Sequence, residues 1–203
     1  MPRGVYHHLS ADGTVVVESF SCAPGPVGWR YVSRLATPDG APLGQVDVTC
    51  DAAWRQIRVL VESGGWTVRG GVVGPDAVWR RAATSPAPTP YDNLEQSVPA
   101  AGFTAASPAF AVATARLLGL DLMERRRIRL VSVSGPASAT LAVDEGWALV
   151  DVTEHATELR PLRVERYEVA DLASAERRVV QIAGDVVVDA PGLELVDLET
   201  PPS

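Results

Sequence analysis

The chain has 203 residues, a formal net charge of −7, 46% hydrophobic and 21% charged residues. It is long enough to bury a sizeable core and too ordinary in composition for general disorder. Its acidic balance repels nucleic acid unless a local basic patch overrides it, so no nucleic-acid partner is expected.

At the N-terminus, "MPRGVYHHLSADGT" lacks the apolar run of a signal peptide. No stretch approaches the roughly 20 apolar residues of a membrane span, so a cytoplasmic location is expected. His7 and His8 read either as a metal-binding pair or as part of a frayed end, and the frayed end is the expected one. From Thr14 the chain alternates strand-like runs with turn chemistry. "TVVVESFSC" ends at the Pro/Gly cluster "APGPVG". "WRYVSRLA" sets Trp29, Tyr31, Ser33 and Leu35 against Arg30, Val32 and Arg34. "QVDVTC" puts Val46, Val48 and Cys50 on one face, the period-two pattern of a half-buried strand. "WRQIRVLVE" groups Arg55, Ile57, Val59 and Val61 on a core face, with Trp54, Gln56, Arg58, Leu60 and Glu62 opposite. "GGWTVRGGVV", read as a strand with a bulge, and "AVWRRA" complete an antiparallel meander.

Composition changes at Thr84–Ala106, which is rich in Pro, Ala and Ser and reads as an extended loop, a lid or a linker. "SPAFAVATARLLGL" carries a helix signature: Ser107 as N-cap, Pro108 at the first position, Gly119 as the stop. Strands return in "RRRIRLVSVSG", "GWALVDVTE", "LRPLRVERYEVADL", "RRVVQIAG" and "DVVVDAPGL", with a tight hairpin at Gly184–Asp185. The expectation is one mainly β domain: strands over 14–82, a loop over 84–106, a helix over 107–119 and strands over 125–198. The architecture is a large curved antiparallel sheet, or an open barrel or roll, with one main helix.

No nucleophile elbow, phosphate loop or zinc motif occurs, so no catalytic residue, cofactor or metal is expected. Cys22 and Cys50 do not make a disulfide scaffold and are expected as dispensable thiols. Asp185 and Asp189 read as turn and edge carboxylates, or as an acid/base pair. Arg125–Arg127 reads as a solvated corner, or as an anion or lipid-headgroup site. All 18 basic residues are Arg, which stacks on aromatics better than Lys does. Trp54 with Arg55 and Arg58, Trp66, and Trp79 with Arg80 and Arg81 come near one another in a meander. They read as sheet packing under Arg stems, or as rings and guanidiniums around an amphipathic ligand. Trp54 is expected to be buried, through a bulge or a covered second face, with Arg58 at a pocket mouth.

The pattern of "CDAAWR" (Cys50–Arg55), "ERYE" (Glu165–Glu168) and "VVVDAPGL" (Val186–Leu193) resembles the bacterial glycolipid-binding family, a domain of unknown function. The resemblance runs from Trp29 to Val196 and departs from the family pattern at "TPYDNLEQSVP". It implies a strongly curved antiparallel sheet, like the half-barrels of lipoprotein carriers, whose concave face holds acyl chains. With it, Tyr167 of "ERYE" joins the ligand-binding set of Trp54, Arg55, Arg58, Trp66, Trp79 and Arg81. The expected function is non-catalytic binding of an apolar or amphipathic small molecule, such as a lipid or glycolipid. The alternatives are an enzyme using carboxylates and Arg in the same cavity, and a scaffolding domain whose concave face is filled.

Overall fold

The computed structural model describes residues 1–25, 28–83, 94–134, 141–155, 161–200 and 202. Strands β1 (Arg3–Leu9), β2 (Val15–Gly25), β3 (Gly28–Ala36), β4 (Pro42–Asp51), β5 (Gln56–Ser63), β6 (Trp66–Val73), β7 (Asp76–Ala83) and β8 (Glu95–Pro99) form a meander. A short β9 (Gly102–Thr104) leads into α1 (Pro108–Leu118). Then come β10 (Arg125–Ser132), β11 (Leu141–His155), β12 (Leu162–Asp171), β13 (Arg177–Ala183), β14 (Val186–Asp189) and β15 (Leu193–Leu198). Among the described residues the fold is mostly β with one helix, as expected. It comprises a nine-stranded antiparallel sheet, ordered β15-β1-β2-β3-β4-β5-β6-β7-β8, and a curled sheet ordered β14-β13-β12-β11-β10-β9.

The chain leaves the large sheet at β8 and returns to it as β15, which pairs with β1. Among the described strands only β9–β10 is parallel, and α1 makes the crossover that a parallel pair requires. The helix touches β4 of one sheet and β14 of the other. Its ends fall where Ser107, Pro108 and Gly119 place them. The core follows the period-two pattern: Trp29, Tyr31 and Ser33 of β3 and Val46, Val48 and Cys50 of β4 are buried.

Four expectations are corrected. The first strand is not a frayed end: β1 is paired on both sides, so His7 and His8 sit inside a sheet. Residues 84–93, with Tyr91, Asp92 and Asn93, lie outside the described residues. The rest of the expected loop contains β8 and β9. Pro99 permits this because β8 is an edge strand with one partner and Pro99 is its last residue. The bulge lies on β5, not on the glycine-rich β6. Between Thr49↔Arg58 and Cys50↔Gln56 the register skips Ile57. Ile57 is therefore 45% exposed, and Gln56 takes the inward position. Gly71 is the complement on the neighbouring strand, since a Cβ there would lie 2.5 Å from the Ile57 carbonyl oxygen. Finally, Trp54 belongs to a turn before β5, not to the strand, so alternation does not govern its direction.

Both cysteines are free and buried. Burial, then the Asp185 carboxylate that accepts the Cys22 thiol at 3.4 Å, pushes the Cys22 pKa up. Burial, then Asp51, pushes Cys50 up to about 12. A disulfide-exchange reagent should therefore find no thiol in the native protein and two per chain in denaturant. Rapid reaction of the folded protein would refute the buried-thiol picture.

Candidate functional site

The turn between β4 and β5 is built around Asp51. Its Oδ1 accepts the backbone N–H groups of Ala53 and Arg55, each at 2.9 Å, and its Oδ2 accepts Arg55 Nε at 2.7 Å. Burial works against the charged form. The Arg55 backbone and guanidinium bonds outweigh it and hold the Asp51 carboxyl below its usual range. The turn forces Trp54 to φ 62°, a left-handed conformation that bulky residues avoid. Its half-buried ring packs on the buried Trp29, with centroids 5.4 Å apart.

These two indoles wall a cavity of about 540 Å³ between the sheets. Leu162 and Arg163 from the start of β12, the β13–β14 turn at Gly184–Asp185, and Arg116 from the last turn of α1 also line it. Arg116 pairs with Glu165 and donates to the Gly184 carbonyl. Tyr167 donates to the same Glu165 oxygen at 3.0 Å and stands edge-on to Trp147. Burial, then Glu165, pushes the Tyr167 phenol pKa up. The arrangement offers an aromatic wall of two tilted indoles on one side and a held carboxylate–guanidinium pair on the other.

Of the sequence-derived set, Trp54 reaches this cavity and Tyr167 reaches it through Glu165. Trp66 and Trp79 are core residues, and Trp79 packs edge-on against Phe103. Arg81 shares their face of the large sheet, half-buried. Arg55 turns away to Asp51. Arg58 does not stand at the mouth: it lies on the outer face, 3.5 Å from Asp47, which Arg30 clasps at 3.0 and 2.8 Å. Asp185 is buried beside Cys22 while Asp189 is exposed and accepts Gln181 Nε2, so the two do not act as one site. His155 is exposed at the end of β11.

Two buried carboxylates escaped the sequence reading. Glu18, with no exposed surface, lies 2.5 Å from His8 Nε2 and accepts Tyr31 Oη at 2.9 Å and Ser107 Oγ at 2.6 Å. Burial, then Glu18, pushes the Tyr31 phenol pKa well up. Glu145 accepts Arg178 at 2.6 Å and Trp147 Nε1 at 2.8 Å. His8, Ser107, Glu145 and Arg178 line a second cavity of about 520 Å³. The signal for Glu18 was its parity: it shares the inward face of β2 with Phe20 and Cys22.

The fold therefore defines a two-sheet β protein wrapped around one helix, with an aromatic-walled cavity at the C-terminal end of that helix. A solved structure of a DUF1089 family protein, a domain of unknown function, from Pseudomonas aeruginosa is similar to it. The match has a TM-score of 0.52 at 16% sequence identity and covers 93% of this chain and 90% of that one. At that identity the likeness speaks to the fold and carries no ligand. No protein-family model matches the sequence, and no curated protein matches it. Among the described residues no helix is long and apolar enough to cross a membrane.

Proposed function

We propose that the protein binds an amphipathic small molecule without catalysis, in the cavity between Trp54 and the Arg116–Glu165 pair. The observation that carries this reading is Trp54 itself. A bulky residue at φ 62° bears a backbone cost of about 1–2 kcal/mol, and its partly buried indole still leaves some apolar surface at the cavity wall. Gly would relieve that cost and so offset much of the packing on Trp29 that the ring supplies. A ring held there at a cavity wall makes sense as a contact surface. The volume, about 540 Å³, lies within the usual small-molecule range. The apolar part of the ligand would lie on the indoles and its polar head against Arg163, Arg116 and Glu165. A glycolipid has that division of character. The carboxylates here favour binding over acid/base work, because Glu165 is engaged by Arg116 and Tyr167, Asp51 by its own turn and Asp185 by the Cys22 thiol.

Native mass spectrometry of the purified protein, with extraction of any carried lipid, tests for the ligand directly. Trp54→Gly tests the site. Relief of backbone strain offsets the lost ring, so its stability should stay within about 1 kcal/mol of the parent. Trp54→Ala keeps the strain and should be the less stable of the two. Both should lose binding of an amphiphile such as an alkyl glucoside, followed by tryptophan fluorescence. Unchanged binding in Trp54→Gly would remove the cavity from the proposal.

A further inference from the structure

We propose that the turn Asp121–Glu124 and the start of β10 dock on an anionic lipid surface, with Leu122 and Met123 entering the headgroup layer beside Arg125 and Arg126. Leu122 is 58% exposed and Met123 65% exposed, adjacent on one tight turn. Met123 has φ 67°, a second bulky residue held in left-handed backbone. The tip is fixed. Met123 N–H donates to the Leu149 carbonyl at 2.7 Å, and Leu149 N–H donates back to Glu124 at 3.2 Å. Asp121 N–H donates to Glu124 Oε2 at 3.0 Å. A strained, rigid turn thus presents two large apolar side chains to solvent, where Gly, Asn or Asp would relieve both the strain and the exposure.

The charge next to it is of the sign an anionic surface attracts. Residues 121–129, "DLMERRRIR", carry four Arg against Asp121 and Glu124, and with Asp144, which faces Arg127 and Arg129, the patch is net +1 in a chain of net −7. Arg126 pairs with Glu124, and Arg127 and Arg129 with Asp144. No ion pair holds Arg125 among the described residues. Aliphatic tips flanked by Arg are what an interfacial lipid contact uses. Two side chains fall well short of the roughly 1,200 Å² a stable protein interface buries, which argues against a protein partner. The position suits the fold as well. In α1, Arg116 lines the Trp54 cavity, while Leu117 and Leu118 line a depression with Arg55, Arg126 and Arg127. Cavity and docking tip share the C-terminal end of α1.

This inference does not rest on the cavity reading. The test is co-sedimentation of the full chain with phosphatidylcholine vesicles and with vesicles of mixed phosphatidylcholine and phosphatidylglycerol. Binding should be confined to the mixed vesicles and should weaken with salt. Leu122→Ser/Met123→Gly should weaken it about tenfold or more, and Arg125→Gln/Arg126→Gln should weaken it comparably. Met123→Gly relieves strain, so the variant folds, and its alkyl glucoside binding should match the parent. No binding to the mixed vesicles, equal binding to both kinds, or parental binding by the Leu122/Met123 variant would each overturn the proposal. So would a concentration-dependent dimer in sedimentation equilibrium that the same variant abolishes, which would assign the tip to a second copy of the chain.

Discussion

Glu18→Ala is expected to destabilise the protein by about 3–5 kcal/mol in urea unfolding, the cost typical of breaking a buried charged cluster from one side. Domains are commonly stable by only about 5–15 kcal/mol, so the variant should be close to unfolded at 37 °C. The size follows from what the carboxylate holds. Glu18 sits on β2 with no exposed surface and ties together three other places: it accepts Tyr31 on β3 and Ser107 at the head of α1, and lies 2.5 Å from His8 Nε2 on β1. Ser107 makes no side-chain cap for its own helix, because its hydroxyl is committed to Glu18. Truncation leaves the Tyr31 and Ser107 hydroxyls buried without an acceptor, and loosens the helix from the large sheet. Glu18→Gln separates charge from bonding. Its amide oxygen still accepts Tyr31 and Ser107, so the loss should fall to about 1–2 kcal/mol. If Ala and Gln variants unfolded together, the bonds would not be what holds this region, and the burial of Glu18 would need another explanation.

The helix and most of the large sheet were legible in the sequence because each rests on local chemistry. Ser107, Pro108 and Gly119 mark the ends of α1, and alternation along β3 and β4 marks the inward residues. Where the reading failed, long-range pairing had overridden a local sign. His7 and His8 look like a loose end until β15 arrives from the far end of the sequence to cover β1. Pro99 looks incompatible with a strand until the sheet order shows β8 to be an edge. Ile57 looks like core until the bulge turns it out.

The candidate site was less legible for a related reason. Trp54 lines the cavity, but not by the route its strand parity implied: it reaches there through the Asp51 turn and its positive φ. Arg58, four residues on, went to the outer face with Asp47. Arg116 was missed because on a helix it is an ordinary basic residue of the last turn. Only the docking of α1 against β4 and β14 brings its side chain to Glu165 and the Gly184 carbonyl. A single sequence carries periodicity and turn chemistry, but not which two elements meet across a cavity.

Gly28→Ala should be about as damaging as the loss of Glu18, at about 3–5 kcal/mol, and should also abolish alkyl glucoside binding at the Trp54 cavity. Two independent costs combine at Gly28. Its φ of +144° is backbone that residues with a side chain avoid. A Cβ there would lie 2.1 Å from the Cys50 carbonyl oxygen and 2.4 Å from the Asp51 carbonyl carbon. Both are backbone atoms in register with β3, so neither can swing aside as a side chain would. Relief requires β3 and β4 to part at the place where Trp29 follows Gly28 and the Asp51 turn begins. Trp29 and Trp54 would then no longer face the cavity together. Gly40→Ala is the control. Gly40 also has a positive φ, +90°, but nothing lies within 4 Å of its Cβ position. It should lose only the backbone part, about 1–2 kcal/mol, and keep full binding. Should Gly28→Ala melt like Gly40→Ala, the β3–β4 contact is softer than this geometry implies. Should it lose stability yet bind normally, Trp29 and Trp54 do not depend on Gly28 for their placement.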